Sequence, residues 1–170
     1  MTAWITSVLL ALATALYPRT PVPDLRELAR AIDVAAHKTP LPGEDGVVEM
    51  AVELSVLAAT EGHLRADAVG VDFYGTSMGA WQIHETTLGY LGATREDTFD
   101  LEVAARLAAK LVKKSHEVCR ARAWEERLAW FASGGPTCSV TEGLAASRRR
   151  MRLAEWVQAS HPAYWTEANR

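Results

Sequence analysis

Val47, Ala51, Leu54 and Ala58 step along the chain by four and three, and the next place in that rhythm belongs to a carboxylate, Glu61. Apolar residues at this spacing share one face of a helix, so the segment predicts a helix with its stripe against a core. Glu61 then either points inward with the stripe or marks the point where the stripe emerges into solvent. Directly behind it the helical rhythm stops. From Gly62 to Gly79 the chain carries Gly70 and Gly75 with Asp67 and Asp72, the composition of an irregular loop or small hairpin. Such a chain is committed to a helix that delivers a carboxyl group to the edge of a glycine-rich lobe. A carboxyl removed from water disfavours its charged form, and the raised pKa lets a glutamic acid stay protonated near neutral pH. That is the property a general acid needs.

The remaining segments read as helices. After a proline-broken linker from Pro18 to Pro23, Asp24 and Glu27 have the spacing of a capping box before Leu25, Leu28, Ala29 and Ile32, which predicts a helix over about 24–37. Pro40, Pro42 and two glycines make 39–46 a turn into the Glu61 helix. Residues 81–91 read as a short helix. Asp100 caps a longer one with Leu101, Ala104, Ala108 and Leu111 on its apolar face, and Lys113, Lys114 and His116 in its last turn suit the helix dipole. Trp124, Leu128 and Phe131 form the next stripe, ended by Gly134-Gly135-Pro136. Ser139 and Glu142 cap a final helix that reaches about Ser160. With 170 residues and 49% apolar content, the chain has the size of one domain with one core. The expected class is α+β, mostly α, with a small loop or hairpin lobe behind Glu61.

A net charge of -3 and a pI near 6.0 give no electrostatic case for nucleic acid as a partner. The basic cluster Arg148, Arg149, Arg150 and Arg152 has the pattern of a solvated helix face, although an anionic polymer would find it useful. From Trp4 to Tyr17 the chain is uncharged, shorter than the ~20 residues of a spanning helix and closer to the apolar core of a secretory signal. Ala13-Thr-Ala15 offers a small-residue cleavage step, yet no Lys or Arg precedes the run. The expectation is an export signal or short membrane anchor plus linker over 1–23 and a folded domain over 24–170, with a buried first helix as the alternative. An exported chain could close Cys119 and Cys138 into a disulfide; in a cytoplasmic one both read as free core thiols. The two cysteines and the five scattered histidines lack metal-ligand spacing, and no cofactor is implied.

Three short stretches carry a further signal: Glu61-Gly-His-Leu64 with Ala68 following, Gly79-Ala-Trp-Gln-Ile83, and Trp130-Phe-Ala-Ser-Gly134. In this order they resemble the catalytic domain of the lytic transglycosylases, within the lysozyme-like superfamily. The family's patterns are Glu-Ser-x-Phe, then Gly-Leu-Met-Gln-Ile, then Ala-Tyr-Asn-Ala-Gly, and the likeness covers roughly 47–134. The resemblance implies a lysozyme-like fold and cleavage of the β-1,4 bond between N-acetylmuramic acid and N-acetylglucosamine in peptidoglycan. Glu61 would protonate the glycosidic oxygen and then act as base. In transglycosylases the muramoyl 6-hydroxyl attacks and leaves a 1,6-anhydro product, whereas in lysozymes water attacks. It also implies peptidoglycan glycan strands as the partner, a periplasmic or envelope location, and a bacterial or phage origin.

Other residues take roles beside Glu61. Gln82 would hold the sugar or the neighbourhood of Glu61 through its amide, the alternative being a surface amide. Trp81 is a sugar platform or a core residue. Ile83 and Phe131 would line the groove, and Tyr74 would supply a hydroxyl there or stand as an exposed loop aromatic. Asp67 and Asp72 are candidates for the second carboxylate that hydrolysis ordinarily requires, or simply turn residues. Three positions depart from the family pattern: Gly62 replaces Ser, Phe131 replaces Tyr, and Ala132 replaces Asn. These departures keep open a lysozyme-type hydrolase, and a weakened domain that binds peptidoglycan or serves in envelope or phage assembly.

Overall fold

The computed structural model describes residues 1–20, 24–73, 75–134 and 137–161, apart from the side chain of Asp72. Its centre is α3 (Gly46–Thr60), in which every residue from Met50 to Ala59 is buried. A helix that is apolar all round must be surrounded. Four helices pack on it: α1 (Thr2–Leu16), α2 (Arg26–Lys38), α5 (Leu101–Val118) and α7 (Thr141–Ser160). The stripe that ends in Glu61 is thus one side of a helix buried on several. Glu53, the charged residue in its middle, is matched by His116 of α5, with Nε2 and Oε2 at 2.9 Å. The helix begins at Gly46 for a steric reason, since a Cβ there would lie 1.8 Å from the carbonyl oxygen of Leu41.

The N-terminal run differs from the expected separate segment. Trp4, Ile5, Val8, Leu9, Leu12 and Ala13 of α1 are buried in the same core as α2 and α3. Each large side chain of this kind contributes about 1.5–3 kcal/mol when fully buried. In this structure the run is a first helix packed with the helices beyond the linker. Among the described residues no helix is long and apolar enough to cross a membrane.

Behind Glu61 a three-stranded antiparallel sheet forms from β1 (Val69–Asp72), β2 (Gly75–Met78) and β3 (Ile83–His84), in that order. Val69 pairs with Met78 and Asp72 with Gly75, so the glycine-rich stretch is a hairpin. The helix expected over 81–91 starts later, as α4 (Glu85–Leu91), because Gly79 and Gln82 both take positive φ and turn the chain into β3. His84 then caps α4, its Nδ1 accepting from the amide of Thr86 at 3.3 Å.

Caps follow the sequence in part. Asp100 Oδ1 accepts from the amides of Glu102 and Val103, both at 3.0 Å, and starts α5 as expected. The capping box expected at α2 does not form: the cap position is Leu25 without a side-chain bond, and Asp24 before it accepts from the Arg26 amide at 3.1 Å and grips the Arg26 guanidinium. That pairing lowers the Asp24 carboxyl to about 2. At α7, likewise, the cap position is Val140 without a side-chain bond, and Ser139 faces Thr137 instead.

The short helix α6 (Ala129–Ser133) replaces the longer one expected around Trp124 and Phe131. Two serines from its neighbours supply the caps that its own sequence lacks. Ser115 of α5 accepts from the Phe131 amide at 3.1 Å, and Ser147 of α7 accepts from the Leu128 amide at 3.0 Å. Gly143 of α7 lets the helices touch, since a Cβ there would lie 2.7 Å from the carbonyl oxygen of Ala129. A disulfide between Cys119 and Cys138 ties the end of α5 to the segment before α7. α6 is thereby fixed across from the hairpin.

Candidate active site

Glu61 caps the C-terminal end of α3, its amide donating to Leu57 O at 2.8 Å. Its side chain is 21% exposed, and the carboxylate accepts a hydrogen bond from Nη2 of Arg150 on α7. Arg150 is more deeply placed, at 12%. This ion pair stands between two clefts, and both residues line each of them.

The first cleft, of about 700 Å³, lies between the hairpin lobe and α6. Gly70, Val71, Ser77, Ile83 and His84 line it from the sheet, Gln82 from the turn before β3, and Trp130, Phe131 and Ala132 from α6. Glu61 and Gln82 therefore open into one space. They are not bonded to each other. Gln82 Nε2 donates to Ala68 O at 3.2 Å and to Gly79 O at 3.0 Å, so the amide pins the lobe to the turn. Its Oε1 abuts Gly70, where a Cβ would lie 2.6 Å from that oxygen.

Backbone geometry marks the same place. Among the described residues the non-glycine positions with positive φ are His63 at 53°, Leu64 at 63° and Gln82 at 47°. Two follow Glu61 almost at once and the third is the cleft amide. Strained conformations of this kind persist where surrounding structure enforces them, and they concentrate at functional sites. Gly62 has a local cause as well: a Cβ there would lie 2.3 Å from the carbonyl oxygen of Ala80. The serine of the family pattern has no room here, because the Ala80 backbone packs where its side chain would begin.

The other expected site residues fare differently. Trp81 does not line the cleft. It is fully buried, with Nε1 donating to Leu54 O at 2.9 Å, so it belongs to the core beneath α3. The cleft tryptophan is instead the half-buried Trp130. Ile83 contributes an edge of the floor while remaining 2% exposed, and Phe131 lines the wall. Tyr74 lies outside the described residues, as does the side chain of Asp72. Asp67 is not among the cleft residues: it is held by Arg65 through two contacts of 3.0 Å, and that guanidinium lowers its carboxyl pKa. Among the described residues no group of three or more His, Cys, Asp or Glu is placed to hold a metal ion.

The second cleft, of about 610 Å³, lies on the other side of the ion pair, between the end of α1 and α7. Tyr17 stands in it beside Glu61, its hydroxyl donating to Ala59 O at 2.6 Å. Burial raises the Tyr17 pKa, and the charge of Glu61 raises it further. The residue that sequence reasoning missed is Arg150. On α7 the buried positions are Gly143, Ser147, Met151, Ala154 and Val157, and Arg150 falls three after Ser147 and four before Ala154. Helical period alone thus turns it inward from an otherwise solvated run.

Chemically, the first cleft offers one carboxyl group, an aromatic wall and a lobe stiffened by an amide. Arg150 is the counter-charge of that carboxyl in this arrangement, so Glu61 must part from it before that oxygen can carry a proton to a substrate. Comparison with models of known protein families, with curated proteins and with solved structures finds no match for the chain.

Proposed function

We propose that this chain cleaves the β-1,4 bond between N-acetylmuramic acid and N-acetylglucosamine in peptidoglycan, as a lytic transglycosylase of lysozyme-like fold. The observation that carries this reading is the opening of Glu61 and Gln82 into a single cleft between the hairpin lobe and α6. Glu61, once protonated, gives its proton to the glycosidic oxygen as the bond to the anomeric carbon breaks. The resulting carboxylate then takes the proton of the muramoyl 6-hydroxyl, whose oxygen closes on the anomeric carbon. This intramolecular attack needs one acid/base group, and Glu61 supplies it. Trp130 and Phe131 offer apolar faces to the sugar rings. The Cys119–Cys138 disulfide fits an exported protein, since such bonds persist in oxidising compartments.

Purified sacculi provide the test. The chain should release muropeptides ending in the anhydro form, detected by mass, and Glu61→Gln should release none. Release of reducing ends would assign a hydrolase instead. The pairing of Glu61 with Arg150 favours a second reading, a groove that holds peptidoglycan without cutting it. In that case the chain co-sediments with sacculi, releases nothing, and Glu61→Gln binds as well as the parent.

A further inference from the structure

The proposed reaction makes no use of the cleft between the end of α1 and α7. Along its α7 wall Arg149, Arg152 and Trp156 follow at intervals of three and four, which places them on one helical face. Arg148 grips Glu126, but Arg149 and Arg152 have no ion pair or side-chain hydrogen bond with any described residue. Both are exposed at the rim. The floor holds a third guanidinium: Arg150 gives Nη2 to Glu61, while its buried Nη1 has no partner among the described residues. A buried N–H in that condition lacks a bond worth making. The mouth is apolar, with Trp156 41% and Leu16 37% exposed and Leu153 beside them.

We propose that this second cleft binds a small anionic amphiphile, a carboxylate or phosphate carried on an apolar body. The anionic head sits between Arg149 and Arg152, above the charge of Arg150, and the body lies against Trp156, Leu153 and Leu16. A cleft of about 610 Å³ is of small-molecule size. The chain as a whole is negative, so this concentration of unpaired cations is local and runs against the average. Because Arg150 and Glu61 both line this cleft, an anion held there attracts the guanidinium and is repelled by the carboxylate. Binding in this cleft and the state of the Glu61–Arg150 pair are thereby coupled in both directions.

The test titrates hexyl phosphate, hexanoate, hexanol and inorganic phosphate into the full chain, read by calorimetry and by the fluorescence of Trp156 against Trp156→Phe. At least one of the two anionic amphiphiles binds more tightly than hexanol and than inorganic phosphate, and its affinity falls with added salt. Whether hexyl phosphate or hexanoate is the tighter decides which head group the site takes. The double variant Arg149→Gln, Arg152→Gln, both at exposed positions, weakens that binding by about tenfold or more. Glu61→Gln strengthens it about fivefold or more, because the variant removes both a like charge and a competitor for Arg150. Equal binding of hexanol, or of inorganic phosphate alone, overturns the proposal, as does unaltered affinity in the double variant. Since the readout is binding of synthetic amphiphiles, these results stand apart from muropeptide release.

Discussion

Arg150 of α7 hydrogen-bonds to the carboxylate of Glu61, across 89 positions of sequence. The contact clamps the end of the central helix to the last one, and both partners are mostly buried. Removing one member of such a pair leaves the other desolvated without compensation. Arg150→Gln should therefore lower stability by about 1.5–3 kcal/mol, the range for hydrogen bonds to charged groups, as read by the urea midpoint. An unchanged midpoint would mean that the two side chains do not hold each other in solution.

Gly62 should accept no side chain. Its would-be Cβ collides with backbone, the Ala80 carbonyl at 2.3 Å, and backbone yields less readily than a side-chain tip. Both Gly62→Ala and Gly62→Ser should cost about 1–3 kcal/mol. The serine variant also tests whether the family's hydroxyl is tolerated here, and a stable, more active Gly62→Ser protein would contradict the packing described.

The aromatic residues divide by role. On the proposed activity, Trp130→Ala should raise the peptidoglycan concentration needed for half-maximal muropeptide release, with some loss of melting temperature because the ring also packs against the core. Trp81→Phe should act on stability instead, because it removes the indole donor to Leu54 O and leaves a fully buried site underfilled, at a cost of about 1–3 kcal/mol. Glycan binding assays with thermal melts on both variants separate the two.

Stability should respond to pH through Glu49. Burial raises its carboxyl pKa, and the neighbouring charges of Glu53 and Asp45 raise it further, outweighing the lowering by His116 and Arg127. The folded state then holds this proton more tightly than the unfolded chain, whose value is about 4.3, so stability falls as pH rises through that interval. Glu49→Gln should raise the melting temperature at pH 7, and the gain should vanish below the unfolded value. A gain that persists at low pH would place the effect elsewhere.

Reduction of the Cys119–Cys138 bond should cost about 2–4 kcal/mol, given the 19-residue separation that it closes. Thermal melts with and without a thiol reductant measure this. Because α6 lies between the two cysteines in sequence, cleft function should weaken along with stability.

What could be read from sequence was mainly local. The α3 stripe, the Asp100 cap and the hairpin composition each depend on neighbours within a few residues, and all three appear in the fold. That Glu61 and Gln82 belong together was an implication of the family resemblance rather than of local pattern, and both line the first cleft. Long-range acceptors escaped notice: Ser115 and Ser147 cap a helix to which they do not belong, and no local pattern announces that. Trp81 went to the core because positive φ at Gly79 and Gln82 reverses the chain there, which helical periodicity does not foresee. Arg150 was legible in principle. Its place on the buried side of α7 was masked by the arginines on either side of it.

The last turn of α1 brings Leu16 and Tyr17 to the rim of the second cleft, while the rest of that helix covers α2 and α3. A protease that trimmed the chain after Ala15 would unroof the core and dismantle one wall of the arginine cleft in a single cut. The same segment cannot lie in a bilayer and in this seat at once. Occupancy of the seat by α1 thus makes the arginine cleft a property of the untrimmed, fully folded molecule alone.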